Sequence, residues 1–267
     1  MWIFRALADL GLFALVGQGI AVGWLRAPGS RVWRLAWGLV AIGVGGEVFL
    51  TVRSLADGRD WDTFRLLLDT GPGRTQVLRL LAATLLLTGR RWTTVLGAGC
   101  FVLACIWTSH AGASASRLAE TAEGLHVLGA LLWAGPLLYL AAIDPPLKVI
   151  ERFSRLALPA VMILSVAGGL LGWIQLGRVG ALVSSFYGRV LTAKVLCVLL
   201  ALALAGLNRQ RFLPAGNRRA LRRGLILEGL LVLVVFQLTG LLVTSDPPTQ
   251  EASRSRVEAC CWRITYA

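Results

Sequence analysis

Long apolar stretches alternate along the chain with short polar connections rich in arginine. Eight stretches approach the roughly 20 residues that a helix needs to cross a hydrocarbon core of about 30 Å. They are Ala6–Leu25, Val32–Val52, Thr75–Leu87, Trp92–Ser109, Ala122–Ile143, Leu156–Leu176, Arg189–Leu207 and Gly224–Val243. The third is the weakest, because Arg79 interrupts it, and extension through Gly73 and Arg74 gives it enough length. No run alternates apolar and polar residues as barrel strands do. Lipid-exposed backbone must satisfy its own hydrogen bonds, so the pattern predicts an all-α polytopic membrane bundle of about eight helices. The first stretch carries Asp9 and ends at Trp24-Leu25-Arg26 without a small-residue cleavage site, so it reads as a span and not as a signal peptide.

Composition strengthens this reading. Of 267 residues, 56% are hydrophobic and 15% are charged, against about 25% charged in ordinary soluble domains. A net charge of +13 would suggest nucleic acid for a soluble chain. Here it reads as arginine flanking the spans, with the lipid bilayer as partner and no nucleic acid. The connections after spans one, three, five and seven carry fourteen basic residues, six of them from Arg209 to Arg223, opposed only by Asp144 and Glu151. The other connections and ends are nearly balanced and include Asp57, Asp60, Asp62 and Asp69. Basic residues stay on the cytoplasmic side, which predicts both termini outside, in a bacterial periplasm. Trp24, Trp33, Trp37 and Trp92 then mark the inner boundary, and Trp2, Trp107 and Trp173 the outer one. Gly19 with Gly23, and Gly168 with Gly172, have the four-residue spacing of close helix contacts.

Ionisable groups inside a span are costly and are functional candidates for that reason. Asp9, Glu47, His110, His126 and Lys194 fall at similar depth in the outer half, which predicts a polar chamber there. His110 and His126 are the chain's two histidines, joined across one short outer loop. Imidazole suits copper, zinc, iron and haem iron. His126 shares a helix face with Gly129, Ala130 and Trp133 by the i, i+3, i+4, i+7 rule. The bland reading places each histidine at the wet interface without a ligand. Asp9 and Glu47 read either as acceptors behind those imidazoles or as partners of Lys194 or Arg189. Glu228 is expected to face Arg222 and Arg223 and to do no chemistry.

Cys100, Cys105 and Cys197 lie within spans and Met162 in the sixth. Soft sulfur selects Cu(I), so these four outline a secondary metal path, although buried cysteine is also a common apolar filler. Cys260 and Cys261, in the polar tail 249–267, suit a soft metal or a disulfide. There is no P-loop, CxxC, HExxH or CxxCH motif, and no recognisable hydrolase set, so an enzyme is not expected.

Several segments, in order, resemble the copper resistance D (CopD) family of bacterial inner-membrane proteins. They are Thr108-Ser109-His110-Ala111, then Leu125-His126 through Trp133-Ala134-Gly135, then Arg152-Phe153-Ser154-Arg155-Leu156-Ala157. Tyr187-Gly188-Arg189-Val190-Leu191-Thr192-Ala193-Lys194, Leu207-Asn208-Arg209, Leu213-Pro214, Glu228-Gly229-Leu230 and Pro247-Pro248 follow. The resemblance covers residues 75–248, a six-helix domain, and leaves residues 1–74 as two further spans with an outer loop. It implies copper transport across the bacterial inner membrane, with His110 and His126 as ligands and a separate periplasmic CopC-like copper protein as partner. Copper, as Cu(I), is the expected cargo. Neutral imidazole is the form that binds, so uptake should weaken as pH falls through the histidine range. With only Met1 and Met162, the chain departs from the methionine-rich segments common in copper transport. The alternative is a b-type haem held by the same histidines.

Overall fold

The computed structural model describes residues 2–55, 60–108, 116–245 and 247–249. Among them are helices and no strand. In chain order they are α1 (Trp2–Gly23), α2 (Val32–Leu55), α3 (Asp60–Asp69), α4 (Gly71–Leu87), α5 (Arg91–Thr108), α6 (Arg117–Ala142), α7 (Leu147–Leu176), the single turn α8 (Ala181–Ser184), α9 (Phe186–Leu207) and α10 (Arg218–Val243). A π-helical turn, Asn208–Phe212, continues α9.

Seven of these are long and apolar enough to cross a membrane: α1, α2, α5, α6, α7, α9 and α10. The third expected span, α4, is a helix but has only 17 residues, two of them Arg74 and Arg79. At 1.5 Å per residue it reaches about 26 Å, short of a full hydrocarbon core. It nevertheless packs lengthwise in the bundle. Gly89, at φ +63°, turns the chain sharply between α4 and α5, and the Cβ position of Gly97 falls against Ala82 and Leu86. The expected outer loop holds α3, whose Trp61 and Phe64 stack while Arg65 lies over the indole. Leu67 of α3 is buried and its other large apolar residues are half-buried or exposed, the pattern of a helix lying along an interface.

Helix ends depart most from expectation at α7. It starts at Leu147, nine residues before the expected Leu156. Val149, Ile150 and Phe153 are buried at helical spacing, so Lys148, Glu151, Arg152 and Arg155 ride on a helix that projects past the apolar zone. The same reasoning extends α6 back to Arg117 and α10 back to Arg218.

Close packing is set by small residues. The helices α1 and α2 run antiparallel, Gly11 against Ala36 and Val40, Gly43 against Phe4 and Ala8. Gly19 faces Thr94 of α5. Backbone meets backbone between α1 and α6, where a Cβ on Gly17 would sit 1.9 Å from the Gly135 carbonyl oxygen. Phe13 of α1 meets Phe101 of α5 and Phe236 of α10 edge-to-face, at ring separations of 5.6 and 4.7 Å.

At the end of the bundle opposite the N-terminus, the loop after α1 is strapped down by two hydrogen bonds. The Tyr139 hydroxyl donates to the Pro28 carbonyl (2.7 Å) and Arg152 donates to the Leu25 carbonyl (3.1 Å). Tyr139 is fully buried. Tyr139→Phe is expected to lower stability by about 1 kcal/mol, the net value of one such bond, read as a lower melting temperature in detergent.

Candidate functional site

Three helices meet at one guanidinium. Arg79 of α4 is 0% exposed. It pairs with Asp9 of α1 and with Glu47 of α2, each at 3.1 Å, and donates to Gln76 at 3.4 Å. This corrects the expected pairing of Asp9 and Glu47 with Lys194 or Arg189. Arg189 is exposed, and the countercharge comes from the residue that weakened the third apolar stretch. The signal was present in the sequence: a basic residue inside an apolar stretch, with two carboxylates at matching depth on neighbouring spans. Nearby, Arg5 donates to the Thr108 hydroxyl at 2.7 Å, and Cys105 lies within the electrostatic reach of Asp9 and Arg79.

A second polar group forms where α6, α7 and α9 converge. The Nδ1 of His126 is 3.1 Å from the Leu164 carbonyl oxygen of α7. Gly168 makes room for the ring, since a Cβ there would lie 2.8 Å from two imidazole atoms. Gly129, one turn along α6, packs on Ala160 and Leu164, and Trp133 is buried a further turn on. The face of α6 that carries His126, Gly129 and Trp133 is thus turned toward α7. Lys194 of α9 is within electrostatic reach of His126 and of Glu123.

Glu123 escapes the sequence reading because it stands at the very start of the expected span Ala122–Ile143, where an acidic residue reads as part of the boundary. With α6 starting at Arg117, Glu123 lies in the second turn of the helix and not at its end, near Lys194 and Tyr187. Tyr187 in turn donates to the Gln175 side chain. Arg5, Asp9, Glu47, Arg79, Cys105, Glu123, His126 and Lys194 therefore all lie toward the end of the bundle at which the chain begins.

His110 lies outside the described residues, as do Cys260 and Cys261. The last described residue of α5 is Thr108. Among the described residues no group of three or more His, Cys, Asp or Glu side chains is gathered around a common point. The sulfurs of the expected path are dispersed. Cys100 and Cys105 are on α5, which packs against α1, α4 and α6, whereas Cys197 is on α9, which packs against α10. Met162 is 56% exposed on the surface of the bundle, so a route through the interior would not meet it.

Glu228 also departs from expectation. It is 2% exposed and takes a hydrogen bond from the Asn208 amide at 2.5 Å, where Arg222 and Arg223 were the expected neighbours. The π-helical turn starts at Asn208 and α10 carries Glu228, so the pair ties the end of α9 to α10.

Comparison with known families gives a match over about a third of the chain. Residues 147–242, from the start of α7 almost to the end of α10, match CopD, copper resistance protein D. The matched segment holds Lys194, Asn208 and Glu228, and α6 with His126 precedes it. The chain matches no curated protein and no solved structure.

Proposed function

We propose that the chain is a CopD-family membrane protein that carries copper across the bacterial inner membrane: residues 147–242 match copper resistance protein D, and seven helices are long and apolar enough to cross a membrane. Copper enters, as Cu(I), at the N-terminal end of the bundle, which faces the periplasm. His126 and His110 are its ligands, and a separate CopC-like protein delivers it.

One observation carries this reading, the hydrogen bond from His126 to Leu164. A backbone carbonyl only accepts, so at 3.1 Å the Nδ1 of His126 must be the donor. The proton is thereby held on Nδ1, and Nε2 keeps its lone pair free for a metal. Histidine ligands in metal sites are oriented by this kind of bond. Gly168 supports it by letting the ring seat against α7. The bonds of Arg79 with Asp9 and Glu47 neutralise most of the acidic charge nearby, which leaves the imidazole as the softer donor.

Haem is the less favoured reading. Two cavities of the described bundle, of about 50 and 10 Å³, lie at the end opposite His126, so neither receives its imidazole.

The test is Cu(I) binding to the purified full chain in competition with a chromophoric chelator. His126→Ala is expected to weaken binding at least about tenfold, a loss of roughly 1.4 kcal/mol or more. Unchanged affinity in both His126→Ala and His110→Ala removes the site. A Soret band lost in the same variants would replace copper with haem. Copper uptake by proteoliposomes holding this chain alone separates a permease from a docking partner.

A further inference from the structure

The cavity of about 50 Å³ lies two turns along α6 from His126. Trp133, Phe153, Ser154, Asn208, Arg209 and Glu228 are among its walls. It has room for a few water-sized groups, at roughly 10–15 Å³ each on this measure. Arg209 is exposed and marks where the cavity approaches the surface. The same α6–α7 seam joins the two places. His126 lies against Leu164 and Gly168 at one end, Gly129 against Ala160 in the middle, and Trp133 near Phe153 and Ala157 at the other.

Glu228 differs from the other membrane-depth carboxylates Asp9 and Glu47, which both have Arg79. It is 2% exposed, and none of the ion pairs among the described residues includes it. Its one recorded partner is the neutral Asn208 amide. Arg209, on the same cavity, donates instead to the Ser154 carbonyl at 3.3 Å. Asn208 is held in place because Gly224 has no side chain; a Cβ there would overlap the amide. A buried carboxylate with only an amide for company is an expensive arrangement, and it is relieved when a cation enters.

We propose that the cavity below Trp133 is a second cation site, in which the Glu228 carboxylate and the Asn208 side-chain oxygen hold a partly hydrated metal ion on its way through the bundle. Binding through Asn208 requires its amide to turn, exchanging the N–H donated to Glu228 for an oxygen offered to the ion. Oxygen donors hold a soft ion weakly, which suits a station that cargo must leave. The identity of the cargo rests on the copper reading above; the site itself does not.

Cu(II) is the probe, because it takes both nitrogen and oxygen ligands and is visible by electron paramagnetic resonance. The full chain in detergent is expected to show two components, one with imidazole nitrogen couplings and one from oxygen ligands alone. Glu228→Gln preserves shape and hydrogen bonding and should weaken the oxygen component at least about tenfold while leaving the nitrogen component. His126→Ala should do the reverse. Asn208→Asp adds a second carboxylate and should tighten the oxygen component, so the proposal is tested even if Glu228→Gln folds poorly. An oxygen component absent from the wild-type chain, or intact in Glu228→Gln, overturns the second site. A nitrogen component insensitive to His126→Ala overturns the copper reading and leaves this one standing.

Discussion

Arg79→Met is expected to lose about 3–5 kcal/mol of stability, the usual consequence of removing one partner from a buried ion pair. The guanidinium is fully buried and serves two carboxylates, so its removal leaves Asp9 and Glu47 facing each other without a countercharge. That loss is a large part of the 5–15 kcal/mol that folds an ordinary domain, and the variant should be recovered in low yield with a sharply lower melting temperature. The informative control is the neutral triple variant, Asp9→Asn with Glu47→Gln and Arg79→Met. Replacing all three charges should restore most of the stability, because the cost lies in the orphaned charge and not in the absence of the pair. Wild-type melting of Arg79→Met alone would show that the triad contributes nothing to folding.

Gly17→Val should be comparably severe. The obstruction is the Gly135 carbonyl, 1.9 Å from the new Cβ, and backbone in the middle of a helix does not swing aside as a side chain does. The helices α1 and α6 must separate, at a cost of about 3 kcal/mol, the upper end of ordinary overpacking. Gly45 provides the comparison, since it is exposed and has nothing within 4 Å of its Cβ position. Gly45→Val should melt near wild type. Equal melting of the two variants would mean that α1 and α6 do not approach as described.

The helical bundle was legible in the sequence because the membrane imposes a length on every apolar stretch. The ends were less so. Hydropathy marks the lipid boundary, whereas α7 continues past it on the strength of Val149, Ile150 and Phe153, which bury one face of an otherwise charged turn. The helix α3 was hidden for the same reason: its apolar residues are too few for a span and appear as a pattern only once Leu67 is known to point inward. At the candidate site, depth was legible and pairing was not. Asp9, Glu47 and Lys194 could be placed near the same level by counting residues from the ends of apolar stretches. Which cation meets which carboxylate depends on helix neighbours. The contact of α4 with α2 and α1 gave Arg79 to Asp9 and Glu47 and left Lys194 near Glu123 and His126. Helical spacing did show that Gly129 and Trp133 share a face with His126, but not that this face meets α7.

The shared guanidinium also dictates an order of assembly. Asp9 and Glu47 leave the ribosome well before Arg79, so the first two helices arrive at the membrane with their acidic groups uncompensated. Their acidic groups gain this countercharge only once the fourth helix has followed them, so the short arginine-bearing helix is the piece that completes the burial of the first two.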